Sequence, residues 1–145
     1  MADIYMKVEG MPELLKNLKA WQFIKREACS MALKRGGFKV ETLAKQLCAV
    51  DTGRLRASIS VNWAGSGMDE GKVDTKAQAG DGIKEPEGQK GLVVVTGTNV
   101  IYAPFVEYGT VKMPGRPYLY AAYFTYEGEI IMDIEKILSK DERLK

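Results

Sequence analysis

Few residues in this 145-residue chain are of a type and spacing that could do chemistry. Asp51-Thr52-Gly53 is the triplet with which aspartic proteases hold a carboxylate at a dimer axis. Here Arg54 follows it, where those enzymes place a small residue, and a helical pattern precedes it in place of an apolar strand. A cation beside the dyad would depress both carboxylate pKa values and disfavour the shared proton. The triplet therefore reads as a turn that redirects the chain. The serines have no histidine partner, because the chain contains no histidine. That removes the commonest general base and the commonest transition-metal ligand together. Cys29 and Cys48, placed on one helix, would stand roughly 28 Å apart, beyond disulfide reach. They read as reduced, largely buried thiols and leave zinc without a ligand set. Gly80-Asp81-Gly82 lacks the third glycine and the helix of a dinucleotide fingerprint, and no P-loop occurs. The inventory predicts no catalytic residue, no cofactor and no metal.

The composition, 46 % hydrophobic and 28 % charged, is that of a soluble globular protein, and the length suits a single domain over 1–145. Apolar runs of at most seven residues are far short of a membrane span, and the first residues lack the pattern of a secretion signal. A soluble protein made in the cytoplasm is expected. The net charge of +2 is unevenly spread. Residues 1–50 carry nine basic and five acidic side chains, whereas residues 65–91 carry four Lys against six Asp and Glu. Mixed charge on a helix is ordinarily a solvated face; the functional alternative is a basic surface that meets DNA phosphates.

Ile4, Met6 and Val8 alternate with polar residues and predict a short strand. Pro12 and Glu13 suit a first helical turn. Leu14, Leu18, Trp21, Ile24, Ala28, Met31, Leu43 and Leu47 then follow at steps that share one face of a long helix ending near Ala49. Gly36-Gly37 is its weak point, where it would kink or break. Gly53 permits a positive φ, and Asp51 or Thr52 can cap the turn containing Arg54, Leu55 and Arg56. Ile59, Val61 and Trp63 alternate with Ser58, Ser60 and Asn62, a strand with one wet face. Residues 65–91 hold seven glycines and ten charged residues, too polar for a core of their own. They predict a long loop or extended hairpin that projects from the domain. Leu92 to Thr96 is β-branched and predicts a central strand. Ile101 to Thr110 predicts a helical turn, and Arg116-Pro117 leads into a second helix with the stripe Leu119, Ala122, Tyr123, Tyr126, Ile130, Ile134, Ile137 and Leu138. The expected fold is α+β: an antiparallel sheet of about four strands packed by a long N-terminal helix and a C-terminal helix.

Two blocks carry a resemblance. One is Val50-Asp51-Thr52-Gly53-Arg54-Leu55-Arg56-Ala57-Ser58-Ile59. The other runs Gly97-Thr98-Asn99-Val100-Ile101-Tyr102-Ala103-Pro104-Phe105-Val106-Glu107-Tyr108-Gly109-Thr110. In this order, with a long helix before and a helix entry after, they resemble the neck, tail-completion or head–tail connector proteins of long-tailed phages, over nearly the whole chain. The resemblance implies a virion structural protein assembled in the bacterial host cytoplasm and working without catalysis. It implies a homo-oligomeric ring, a hexamer, between head-closure and tail-terminator proteins. Double-stranded DNA would pass through the lumen without sequence-specific contact. Its motif residues would be Asp51, Thr52, Gly53, Leu55, Arg56, Ser58, Tyr102, Ala103, Glu107, Gly109 and Thr110.

Arg54, Arg56 and Glu107 could form ion pairs within a subunit or across a ring contact. With Tyr108 and Tyr118 they are the candidate interface, since Tyr buries much area at low entropy cost. The acidic loop from Gly65 to Gly91 would reach a neighbouring ring or the lumen. The competing reading is a non-specific nucleic-acid-binding module that uses the basic first helix.

Overall fold

The computed structural model describes residues 12–140, with side chains from Phe23 onward. The strand expected at Ile4–Val8 and the side chains of Leu14, Leu18 and Trp21 lie outside the described residues. The fold is α+β, as expected, with the elements α1 (Pro12–Leu47), α2 (Arg54–Ser58), β1 (Ser60–Trp63), β2 (Val94–Gly97), α3 (Ala103–Tyr108), β3 (Gly109–Thr110), β4 (Met113–Pro114) and α4 (Leu119–Ser139). The four strands form two antiparallel pairs instead of one sheet: β1 with β2, in the register Val61 opposite Thr96, and β3 with β4.

α1 is the centre of the molecule, packed by α4 on one side and by β1 and β2 on another. It runs unbroken through Gly36-Gly37. The two glycines mark the place where both layers approach the helix axis. A Cβ on Gly36 would lie 2.5 Å from Ile130 of α4, and one on Gly37 would lie 2.9 Å from Val94 and 3.1 Å from Val61. The propensity lost at two glycines, about 1 kcal/mol each, is offset by packing that no larger residue would permit.

The buried face of α1 differs from the predicted stripe. Val40, Ala44 and Cys48 join Leu55, Ile59, Val100, Ala103, Tyr118 and Ala122 in the core, while Ile24, Met31 and Leu47 are exposed. A stripe read from periodicity assumes one buried side, and α1 is packed from two directions about 100° apart by helical geometry. On α4 the expected Leu119, Tyr126 and Ile130 do pack against the core, and Ala122 is within it. Tyr123 and Leu138 are instead exposed.

The supposed wet face of β1 is dry. Ser58, Ser60 and Asn62 are all fully buried, because the segment 65–91 folds back over them. Ser60 Oγ accepts the N–H of Ile83 at 3.1 Å. Asn62 Nδ2 donates to the carbonyls of Met68 and Ile83, at 3.2 Å each. Gly71 fits there because it has no Cβ: one would sit 2.7 Å from Ser60 Oγ and 2.8 Å from the Val61 carbonyl. The segment is thus a polar cover held by hydrogen bonds, which is why its composition is poor in apolar residues without its standing away from the domain. β2 lies at the edge of its two-stranded sheet, and Val94, Val95 and Thr96 are half-buried, so the expected central strand is an edge strand.

Candidate functional site

Each motif block is built around a glycine in the left-handed region. Gly53 (φ 83°) is the N-cap of α2, and its carbonyl accepts the N–H of Ala57 at 2.9 Å. The cap expected from Asp51 or Thr52 is not made; both side chains are exposed, and Thr52 Oγ1 stands 3.5 Å from the Arg54 nitrogen, too long for a cap. In the second block Gly109 (φ 85°) ends α3, where a Cβ would collide with the backbone of Gly115.

The fold brings the two blocks together. Ser58 Oγ and Thr98 Oγ1 share a hydrogen bond of 2.6 Å, and Ser58 also donates to the Leu55 carbonyl at 2.7 Å. Leu55 and Ile59 pack in one core with Val100 and Ala103. Asp51 and Thr52 line a cleft of about 430 Å³ whose other wall includes Tyr102, Val106 and Arg116.

Arg54 does not meet Glu107. Its guanidinium grips Asp81 in a bidentate pair, Nε to Oδ2 and Nη2 to Oδ1, both 2.8 Å. Asp81 is buried and is held by three segments at once. Its carboxylate also accepts the Gln78 N–H at 2.8 Å, and its carbonyl accepts the Asn99 N–H at 2.9 Å. The Arg54 guanidinium holds the Asp81 carboxyl below the usual carboxylate range, against the opposing effect of burial. Asp81 was legible only as part of a failed Gly-Asp-Gly fingerprint. Its real signal is a lone acid between glycines that let backbones approach; a Cβ on Gly82 would lie 2.8 Å from the Gly71 carbonyl.

Glu107 has a different task. Its carboxylate accepts three backbone N–H groups at the start of α4: Tyr118 at 2.9 Å, Leu119 at 3.1 Å and Tyr120 at 2.9 Å. The first N–H groups of any helix lack intrahelical partners, and an anion there also complements the positive end of the helix dipole. The sequence did hold a clue, since Arg116-Pro117-Tyr118 opens a helix with no Ser, Thr, Asp or Asn to cap it. Glu107 is buried in this role, so its carboxylate serves as an internal cap and Arg54 pairs elsewhere.

Tyr118 is fully buried, and among the described residues its hydroxyl has no hydrogen-bond partner. Burial first, then the neighbouring Cys48 and Glu107, push its ionisation upward. It is a core residue and not the interface anchor expected. Arg56, Tyr108 and Thr110 remain exposed. Tyr108, Ile101 and Tyr120 border an apolar groove of about 650 Å³ between the start of α4 and the Thr98–Pro104 stretch. Ile101 is 90 % and Tyr108 82 % exposed, and Val111 in the following turn is fully exposed.

Among the described residues no group of three His, Cys, Asp or Glu is placed to hold a metal ion, and no helix is long and apolar enough to cross a membrane. Comparison with curated proteins and with solved structures yields no match. A comparison with protein families matches residues 13–109 to the family described as "Bacteriophage HK97-gp10, putative tail-component". The match takes in the first motif block, the second as far as Gly109 and the polar cover between them, and stops before α4. Spanning 97 of the 145 residues, it establishes that the chain belongs to the HK97-gp10-like family of bacteriophage tail components.

Proposed function

We propose that this protein is a structural subunit of the phage neck. Copies of it form a homo-oligomeric ring, a hexamer, that joins head-closure and tail-terminator components around the DNA channel. The protein performs no bond-making chemistry and resides in the virion after assembly in the host cytoplasm. One observation carries the reading. The polar motif residues Arg54, Ser58, Thr98 and Glu107 are engaged inside the subunit, while large apolar side chains such as Ile101, Tyr108 and Val111 are left on its surface. Conserving a fold and offering apolar area is what an assembly component requires.

The nucleic-acid-binding reading has less to stand on. Among the described residues of α1, four basic side chains are occupied within the chain. Lys25 donates to the Ile137 and Leu138 carbonyls, Arg26 to that of Lys90, Lys39 pairs with Glu129, and Lys45 with Glu41 and Asp74.

The test is the mass of the purified protein in sedimentation equilibrium, together with the phenotype of a phage lacking the gene. A closed oligomer and the accumulation of unjoined heads and tails are expected. A strictly monomeric protein, or infectious particles without it, would sink the proposal.

A further inference from the structure

α1 and α4 each carry a second apolar row that the described residues leave largely exposed. On α1 the row is Ile24, Met31 and Phe38; on α4 it is Phe124, Ile131 and Leu138. Each of the six side chains is 48 % or more exposed. Within each row the steps are seven residues, two helical turns or roughly 10.5 Å. The α1 row lies to the side of both packed layers, and Phe38 at its end meets the Trp63 ring of β1 edge-on, 6.4 Å between centroids. Phe38 follows Gly37, which faces the sheet, and Gly36, which faces α4, by a further turn of about 100° per residue. The α4 row lies about a quarter turn from Ile130, the residue that meets α1.

Two further features distinguish these rows from chance exposure. Lys34 and Arg35 stand between Met31 and Phe38, with Glu27 the one acid nearby, whereas Glu127 and Glu135 flank the α4 row. The two faces therefore carry opposite net charge. Gly128 lies on the α4 face between Phe124 and Ile131, and a Cβ there would meet nothing within 4 Å. A glycine inside a helix costs about 1 kcal/mol relative to Ala, and unlike Gly36 and Gly37 this one has no packing reason among the described residues. Close approach of another chain supplies one.

The geometry points to a heterologous contact between copies of this protein, in which the Phe124–Ile131–Leu138 row of one subunit docks on the Ile24–Met31–Phe38 row of the next. The contact uses two different surfaces, so it leaves each subunit able to bind a neighbour on either side, as a ring demands. It rests on the oligomeric reading above and names the surfaces that reading requires.

The experiment uses sedimentation velocity on the full-length protein and on Met31→Glu, Ile131→Glu and, as an exposed position outside every apolar patch, Gln89→Glu, with far-UV circular dichroism verifying that each is folded. Wild type and Gln89→Glu are expected to assemble. Met31→Glu and Ile131→Glu are each expected to associate at least tenfold more weakly and run as monomers. Mixed in equal amounts, those two restore one intact contact and yield a species of dimer mass and nothing larger. If wild type assembles and the row variants do so equally well, or if their mixture stays monomeric, the row-on-row contact is wrong while the ring stands. If wild type is itself monomeric, the ring fails and this contact with it.

Discussion

Gly36 and Gly37 are consecutive in α1 yet serve different layers: the first touches Ile130 of α4 and the second touches Val94 and Val61 of the sheet. A helix packed on two sides needs two such points of close approach. Valine at either position is expected to lower stability by about 1–3 kcal/mol through overpacking, despite its better helix propensity than glycine. Urea denaturation monitored by circular dichroism measures this. An unchanged or raised midpoint would show that neither layer seats against the glycines.

Removing the Glu107 carboxylate leaves three helix N–H groups without acceptors inside the protein. Glu107→Ala is expected to cost about 2–3 kcal/mol, and Glu107→Gln, which keeps one carbonyl oxygen, less. The loss appears as a lower thermal midpoint. A Glu107 variant as stable as wild type but unable to assemble would return this residue to the subunit boundary.

Asp81 links stability to pH. Its folded-state pKa lies below the ordinary carboxylate value, so the stability it contributes is present above about pH 4 and is lost as pH falls through the folded value. Asp81→Asn is expected to be less stable at neutral pH and to show a flatter acid limb. Denaturation midpoints between pH 6 and 2 test both, and parallel curves for the two proteins would contradict the assignment.

The unpartnered hydroxyl of Tyr118 should make the native side chain suboptimal in the isolated subunit. Tyr118→Phe removes a buried polar group and keeps the ring, and is expected to gain about 1 kcal/mol or more. Calorimetry decides it; a clear loss would mean that the hydroxyl is bonded in solution.

The two thiols should differ in reactivity. Cys48 is buried, and burial raises its pKa, whereas Cys29 is half-buried and both are free. Under native conditions a thiol reagent is expected to modify Cys29 first, with Cys48 reacting only on unfolding. Mass spectrometry of a time course reads the order.

Much of this molecule is local physics and so legible along the chain. The helices came from 3.6-residue spacing and from Pro and Gly punctuation, the α2 turn from Gly53, and the short α3 from the stretch around Pro104. The two motif blocks do meet, at Ser58 and Thr98, through a contact that neither block announces. What periodicity could not supply is which of several apolar faces is covered. Met31 and Phe124 are as hydrophobic as any core residue, and their exposure depends on which sides of α1 and α4 are already occupied.

Residue types and spacing alone determined the α+β class, the long first helix and the absence of a histidine from any scheme of acid–base chemistry. Only the tertiary structure decided the partners of the charged and polar groups. Arg54 chose Asp81 over Glu107, Glu107 chose the start of α4, and Ser60 and Asn62 were buried under a segment whose composition looked like a solvated loop. The physical reason is that a backbone N–H or carbonyl far away in sequence binds a side chain as well as a near one, and nothing in the spacing of residues announces where the fold will place it.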